Sequence, residues 1–482
     1  MKLKELLQGL EVLEASADMD MEIQAVAYDS RKVTPGSLFV AITGFASDGN
    51  RFIPMAVEKG AAAVVTAKKP AQDVPYVLVP SDRLALAMIG TNYYSNPAKS
   101  MTMIGVTGTN GKTSVTLLLK HVLEKTLGAK VGLIGTMENL IGDEVIPTER
   151  TTPESFELQA LFARMRDAHC THMVMEVSSH AISLDRVGGI RYNVAAFTNL
   201  SEDHLDFHKT MEDYCAAKAQ LFGRCDRAVI NCDDPYAPAM AAAAKCPVLT
   251  CSQHEGGLVA ENVQLHADST CFTAVCGDER VQVCLPIPGK FTVYNALTVI
   301  GIARQLGISL ADSAAALATA KGVKGRVEVV PTPGKDYTVL IDYAHTPDGL
   351  ENVLSSVRGF CKGRLISVFG CGGDRDPIKR PIMGRIGVEL SDLAIITSDN
   401  PRTEDPMAII EDIVKGIGND VKNYEVIENR VKAIAHAMDI AQKDDIIVLA
   451  GKGHETYQEI CGVKHHMDER EIVARYLSET RE

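Results

Sequence analysis

The run Gly105-Val-Thr-Gly108-Thr109-Asn110-Gly111-Lys112-Thr113-Ser114 joins closely spaced glycines to one lysine and several hydroxyls, the composition of a loop that holds phosphate. Backbone N–H groups of such a loop, with the positive end of the helix it opens, can cradle phosphate oxygens. Lys112 reaches the terminal phosphates and the Thr113 hydroxyl can ligate Mg²⁺. The spacing departs from the common G-x-x-x-x-G-K-[ST] pattern, because the glycines stand three and six positions before Gly111. A glycine turn with a surface lysine is the plain alternative. Farther on, Glu176 precedes Ser178-Ser-His180 and is a candidate Mg²⁺ ligand, while the run 199–208 gathers His204, His208 and three carboxylates. Zinc is one reading of the two imidazoles and capping with solvent contacts another. No cysteine joins them, and hard oxygen ligands beside phosphate suit Mg²⁺ better.

Lys218 shares a helical stripe with Met211, Tyr214, Cys215, Leu221 and Phe222, which directs its ammonium toward the apolar side. Burial there is costly unless the side chain snorkels, pairs with a carboxylate, or is neutralised or inverted by covalent modification. The pattern alone favours snorkelling. Charged and turn residues cluster again at Gly325-Arg326-Val-Glu328, Asp342-Tyr-Ala-His345 and Gly370-Cys-Gly-Gly-Asp-Arg375. Asp342 is the type of group that receives a ribose hydroxyl, and Arg326 the type that stabilises charge on a transferring phosphoryl group. Taken singly, each is equally a turn or surface ion-pair residue. Ser398-Asp399-Asn400-Pro-Arg402 and Gly451-Lys-Gly-His-Glu455 complete the series. An arginine beside an asparagine can clamp a carboxylate and Glu455 can hold an ammonium, a pairing that suits an amino acid.

These residues need elements to position them. Residues 1–98 carry short strands at 24–30, 36–42, 61–66 and 76–79 and form a small α/β domain, closed by the turn segment 94–99. From 99 to 324, strands at 101–106, 173–177 and 195–198 alternate with helical segments such as 115–127, which predicts a mainly parallel sheet covered on both faces. Strands at 338–342, 364–369, 393–397 and 445–450 define a third, doubly wound Rossmann-like domain over 325–482. Almost every chemical cluster follows a strand, where open α/β sheets collect ligands.

A chain of 482 residues with 46% hydrophobic content is long enough for about three such domains. Its net charge of −13 argues against nucleic acid as a partner and leaves small phosphorylated molecules. Twelve cysteines without a C-x-x-C pair read mostly as small buried hydrophobes in a reducing cytosol. No apolar run approaches the roughly 18 residues of a membrane span, and the first residues lack the long apolar region of a secretion signal. We expect a cytoplasmic monomer with no membrane insertion.

In order along the chain, Gly108-Thr-Asn-Gly-Lys-Thr113, Glu176-Val-Ser-Ser-His180, Glu202-Asp-His204, Lys218, Gly325-Arg326, Asp342-Tyr-Ala-His345 and Asp399-Asn-Pro-Arg402 resemble the motifs of the Mur ligases. The resemblance covers essentially the whole chain and is strongest to the MurE type, which adds the third amino acid to the peptidoglycan precursor in cell-wall biogenesis. It implies UDP-sugar binding by the first domain, ATP binding by the second and amino-acid binding chiefly by the third. It also implies a reaction in which a dipeptide carboxylate attacks the γ-phosphate of ATP and the resulting acyl phosphate is captured by an amine. Gly108, Thr109, Asn110, Gly111, Lys112, Thr113 and Ser114 would then hold phosphates, with Asn295, Arg326, Asp342 and His345 as further nucleotide contacts. Lys112, Glu176, His204, Lys218 and Arg326 would be catalytic. Thr113, Glu176, His204 and Lys218, the last as a carbamate, would serve Mg²⁺. The same resemblance points to Ser30, Thr151, Thr152, Ser178 and Arg186 for the UDP-muramoyl dipeptide, and to Arg375, Asn400, Arg402, Gly451 and Glu455 for the amino acid.

In this family Asp-Asn-Pro-Arg accompanies meso-diaminopimelate, while lysine-adding relatives generally lack the arginine. Arg402 can clamp the second carboxylate of diaminopimelate and would repel the distal cation of lysine. The alternatives are L-lysine addition by the same type of enzyme, a folylpolyglutamate synthetase-like ligase, or a nucleotide switch without ligase chemistry. The folate enzymes lack the N-terminal UDP-binding region.

Overall fold

Strand Thr102–Thr107 is buried along all but its first residue, as a central parallel strand covered on both faces must be. In the computed structural model, which describes residues 1–44, 48–71, 73–148, 150–266, 268–418 and 420–479 (the Asp206 side chain excepted), this strand is an inner strand of the nucleotide-loop sheet. The chain forms two compact units, Met1–Leu258 with Thr298–Ser309, and Val259–Leu297 with Leu310–Glu482.

The first unit holds two sheets. The smaller runs in the order Glu14–Ala15, Tyr76–Leu78, Ala63–Thr66, Ser37–Val40, Ala25–Ala27, parallel except for its first strand. Leu3, Leu6, Leu38, Val65, Val77, Leu86 and Ile89 pack beneath it. In the larger sheet, Val248–Ser252, Cys225–Asn231, Tyr192–Phe197, Thr102–Thr107, His172–Glu176 and Val131–Ile134 lie parallel in that order. The hairpin strands Asn139–Ile141 and Glu144–Ile146 continue it in antiparallel fashion. Thr102–Thr107 lies between Tyr192–Phe197 and His172–Glu176, two strands that come later in the chain. The order therefore reverses at this strand, so a crevice opens at its C-terminal end, where the phosphate-type loop begins.

The second unit carries the antiparallel strands Thr270–Cys276 and Glu279–Leu285 and a six-stranded sheet. Its order is Glu328–Val330, Thr338–Asp342, Ile446–Ala450, Leu365–Phe369, Leu393–Ile396, Tyr424–Val426, all parallel except the first pair. Here too the order reverses, at Ile446–Ala450, and the loops after Asp342, Phe369, Ile396 and Ala450 share that end.

The expected α/β class is what the chain adopts, with the ends of the expected strands shifted by a few residues. The antiparallel strands 270–276 and 279–285 were not among the expected ones. Their burial alternates, one face covered and the other open, so they lack the continuous apolar runs by which the central strands are read. The expectation of reduced cysteines has one exception, because Cys271 and Cys284 stand directly opposite each other on these strands and are joined by a disulfide.

One buried ion pair braces the second unit. Arg430 Nε donates to Glu469 Oε1 at 2.8 Å and Nη2 to the Ala450 carbonyl at 2.7 Å, with both side chains fully buried. Removing one partner leaves an uncompensated charge in the interior. Arg430→Met should therefore cost about 3–5 kcal/mol of stability, read as a lowered denaturation midpoint, and Arg430→Met with Glu469→Leu should recover much of it. An unchanged midpoint in the single variant would show the pair to be dispensable.

Candidate active site

The first unit's site begins where strand Thr102–Thr107 ends. Gly108 sits so close to the neighbouring crossover that a Cβ there would lie 1.9 Å from Thr198 Oγ1, and Gly111 takes the left-handed φ of +83° before helix Lys112–Leu127 starts. The loop is tied down by its surroundings. Thr109 N–H donates to the Asn199 carbonyl at 2.8 Å, Asn110 N–H to Asn199 Oδ1 at 2.9 Å, and Thr198 Oγ1 to the Asn110 carbonyl at 2.6 Å. Lys112 folds back so that its Nζ donates to the carbonyls of Gly108 at 2.9 Å and Thr109 at 2.7 Å. Ser114 is half-buried in the first helical turn.

Glu176 ends strand His172–Glu176 and is buried. Its Oε1 accepts from Thr113 Oγ1 and from the Thr136 N–H, each at 2.9 Å, and its Oε2 accepts from Thr136 Oγ1 at 2.9 Å. Thr152 Oγ1 donates to the Glu176 carbonyl at 2.8 Å and accepts from Ser178 N–H at 3.2 Å. Arg186 Nη1 donates to the Thr152 carbonyl at 3.2 Å, and Thr151 and Thr136 share a hydroxyl contact of 3.0 Å. The fold thus brings Thr113, Thr151, Thr152, Glu176, Ser178 and Arg186 together. Ser30 lies on the smaller sheet's side of the unit, buried, with its Oγ 3.3 Å from Met55 Sδ.

Lys218 does not snorkel. It is 1% exposed on helix Met211–Ala219, donates to the Gly108 carbonyl at 2.9 Å and lies 4.4 Å above the Tyr214 ring. Burial, and then the neighbouring Lys112, hold its amine well below the usual lysine range. Among the described residues no carboxylate pairs with it. His204 stands at the exposed start of helix Leu205–His208 in a left-handed conformation, Nε2 3.3 Å from Asp203 Oδ2, with its ring 4.8 Å from that of His180. His208 is buried instead, with Nε2 2.8 Å from Ser179 Oγ, and burial first and then the neighbouring His180 push it down to about 4.

Among the described residues no three His, Cys, Asp or Glu side chains gather into a metal-holding group. Thr113 and Glu176 present a hydroxyl and a carboxylate side by side, a hard-oxygen pair that fits Mg²⁺ beside phosphate.

In the second unit, Asp342 is buried at the end of its strand, with Oδ2 accepting from Val327 N–H and Oδ1 from Ala344 N–H, each at 2.8 Å. Burial pushes its carboxyl up against the opposing pull of Arg326. Arg326 lies 5.2 Å over the Tyr343 ring, and the His345 Nδ1–H donates to the Tyr343 carbonyl at 2.8 Å. Asn295 is buried in helix Lys290–Gln305. Beside the end of strand Ile446–Ala450, Asn400 Nδ2 donates to Glu455 Oε2 at 2.9 Å. Arg402, at a left-handed φ of +52°, donates from Nη1 to the Gly373 carbonyl at 2.7 Å and lies 3.3 Å from Glu459 Oε2. Gly451 is at φ +113°, where a Cβ would meet Asp399 Oδ2 at 2.8 Å. Arg375 is exposed, with Nη1 donating to the Asp374 carbonyl at 3.2 Å.

Two groups within these clusters were not singled out from the sequence, Thr136 and Lys452. Thr136 lies in a loop with no periodicity to mark it. Lys452, fully buried, was visible only as a lysine between glycines directly after a strand.

Models of the Mur ligase family match three stretches: the catalytic domain over 22–94, the middle domain over 106–303 and the glutamate ligase domain over 325–453. A Clostridium tetani protein named UDP-N-acetylmuramoyl-L-alanyl-D-glutamate–2,6-diaminopimelate ligase is 48% identical over 99% of this chain and 100% of its own length. The chain belongs to the Mur ligase family. A protein of the same name from Caldanaerobacter subterraneus subsp. tengcongensis is 47% identical to this Mur ligase over 100% of both chains. A solved structure of that name matches at TM-score 0.77 and 31% identity, covering 100% of this Mur ligase and 99% of that chain. The three-domain α/β architecture is thus that of the family, and the chain is a ligase.

Because Lys218 is buried without a carboxylate partner, and Lys112 remains on the Gly108 carbonyl in its absence, Lys218→Met should remove a burial cost without creating an orphan. In bicarbonate-free buffer at pH 7.5 the variant should denature at a higher midpoint than wild type, and with bicarbonate supplied it should lack the turnover that wild type shows. A lower midpoint with retained turnover would refute this reading of the lysine.

Proposed function

We propose that this ligase uses ATP to add meso-diaminopimelate to UDP-N-acetylmuramoyl-L-alanyl-D-glutamate in the cytoplasm, acting as a monomer. The observation that carries the substrate choice is one loop cluster in which Asn400 Nδ2 donates to Glu455 Oε2, while Arg402, two residues on, donates to the Gly373 carbonyl and lies beside Glu459. Such a set fits a zwitterion bearing an extra carboxylate, and the full-length relatives named above support it. The guanidinium carries five N–H donors, and the Gly373 carbonyl and Glu459 do not use them all, so a bidentate carboxylate clamp remains open. Arg402 also keeps a backbone conformation disfavoured for a non-glycine residue, of the kind that clusters at ligand clamps.

The domains are 1–98 for the UDP sugar, 99–324 for ATP and 325–482 chiefly for the amino acid, and the three matched stretches fall within these limits. Backbone N–H groups of Gly108 to Ser114 and the Lys112 ammonium bind the phosphates. Thr113, Glu176, His204 and Lys218 as a carbamate would hold Mg²⁺. When bound, Mg²⁺ offsets the charge of the transferring phosphoryl group. Thr151, Thr152, Ser178 and Arg186, with Ser30, orient the dipeptide so that its carboxylate oxygen attacks the γ-phosphorus and ADP departs. Arg326 stabilises negative charge in that step, and Asn295, Asp342 and His345 hold the nucleoside. Asn400, Arg402, Gly451 and Glu455, with Arg375, then orient the amino acid. Its neutral amine attacks the acyl carbon, the amide C–N bond forms, and the C–O bond to phosphate breaks. A low lysine pKa supports the carbamate, since only the neutral amine attacks CO₂.

Phosphate release by the purified protein tests this, with ATP, Mg²⁺ and the UDP-dipeptide present and meso-diaminopimelate compared with L-lysine. Release should require the UDP-dipeptide and diaminopimelate together. Release with lysine alone would keep the ligase and discard the Arg402 argument. Release with neither would remove the proposed substrates.

A further inference from the structure

A fully buried cation of the second unit has no role in the scheme above. Lys452 follows strand Ile446–Ala450 between Gly451 and Gly453, whose φ angles of +113° and +53° turn the backbone so that the lysine runs inward. Its side chain is 0% exposed. It therefore cannot hold a substrate from solvent, yet burying an ammonium is costly and needs specific partners. It has them. Nζ donates to Asn400 Oδ1 at 2.7 Å and to Glu455 Oε2 at 2.8 Å, and lies 5.2 Å from the centre of the Tyr457 ring.

Each of these bonds has only one possible direction. A lysine ammonium and the backbone N–H of Glu459, which reaches Asn400 Oδ1 at 2.9 Å, can only donate. The Glu455 carboxylate, which takes Asn400 Nδ2 at 2.9 Å, can only accept. The Asn400 amide is thereby held in one orientation. Glu455 Oε2 is taken by two donors, of which Lys452 alone is charged, while Oε1 accepts no hydrogen bond among the described residues. Charge-assisted bonds are about twice as strong as neutral ones. Without Lys452, the partly exposed carboxylate would keep one neutral amide donor and gain rotamer freedom.

We propose that Lys452 is a positioning residue for amino-acid capture. It pins Oε2 of Glu455 and Oδ1 of Asn400, and so presents Oε1 of Glu455 as the acceptor for a substrate ammonium. This rests on the reading of Asn400, Arg402 and Glu455 as the amino-acid site. Loss of the lysine charge also makes the pocket more negative, which by itself favours an ammonium. The loss of geometry outweighs this, because an ammonium gains from a carboxylate only where the oxygen is held within hydrogen-bonding distance.

The test is steady-state kinetics of Lys452→Met with each substrate varied in turn. The KM for diaminopimelate should rise by roughly tenfold or more, with kcat and the KM values for ATP and the UDP-dipeptide within about threefold of wild type. In a Glu455→Gln background the same substitution should add little, as expected of groups acting through one another. An unchanged amino-acid KM, an equal rise for all three substrates, or additive effects would overturn the proposal. If Lys452→Met is insoluble, Lys452→Gln, whose amide keeps N–H donors but no charge, decides by the same criteria. Insolubility of both would make the lysine structural and overturn the proposal too. Wild type that does not use diaminopimelate fails the underlying reading; wild type that uses it beside an indifferent Lys452 variant fails this inference alone.

Discussion

A single carbonyl oxygen, that of Gly108, receives two lysine side chains. Lys112 and Lys218 each donate to it at 2.9 Å. Two full positive charges at that separation, one of them buried, oppose each other strongly in a poorly solvated site. Burial first, and then this opposition, lower the proton affinity of Lys218. Much of the first unit serves this arrangement. The strand order reverses at Thr102–Thr107, Thr198 closes on Gly108, and Tyr214 covers the Lys218 amine. An amine of lowered proton affinity, buried beside a phosphate-type loop, suits the proposed carbamate, which would turn it into an anion where Mg²⁺ and phosphate would meet.

The second unit solves a related problem in the opposite way. Lys452 is as buried as Lys218, but it has an amide oxygen and a carboxylate for partners. The structure thus keeps two buried lysines, one held without a carboxylate and one paired with Glu455. The paired lysine fits the proposed amino-acid site, whose acceptors it holds in place. The one without a carboxylate, held by the Gly108 carbonyl under the Tyr214 ring, fits the proposed carbamate.

What the sequence made legible follows from the range of the interactions. The glycine spacing around Lys112 and the helix after it are local, and they appear where expected. Glu176 could be placed because a strand end is readable from its apolar run. The helical stripe marked Lys218 as facing inward, although the stripe alone favoured snorkelling. Its acceptor lies 110 residues away, beyond any local pattern. Lys452 carries no local signal beyond its two flanking glycines, since Asn400 is 52 residues distant. Thr136 carries no periodic signal, and its role comes only from the loop that carries it to Glu176. The antiparallel strands between 270 and 285 escaped because only one of their faces is covered.

The most direct measurement is carbon-13 NMR of the protein equilibrated with labelled bicarbonate. If the Gly108 carbonyl holds Lys218 as a neutral amine, wild type should show a carbamate carbonyl resonance that is missing from Lys218→Met and that fades when bicarbonate is removed. A wild-type spectrum without that resonance, from protein that turns over its substrates, would contradict the carbamate and the use of Lys218 as an anion.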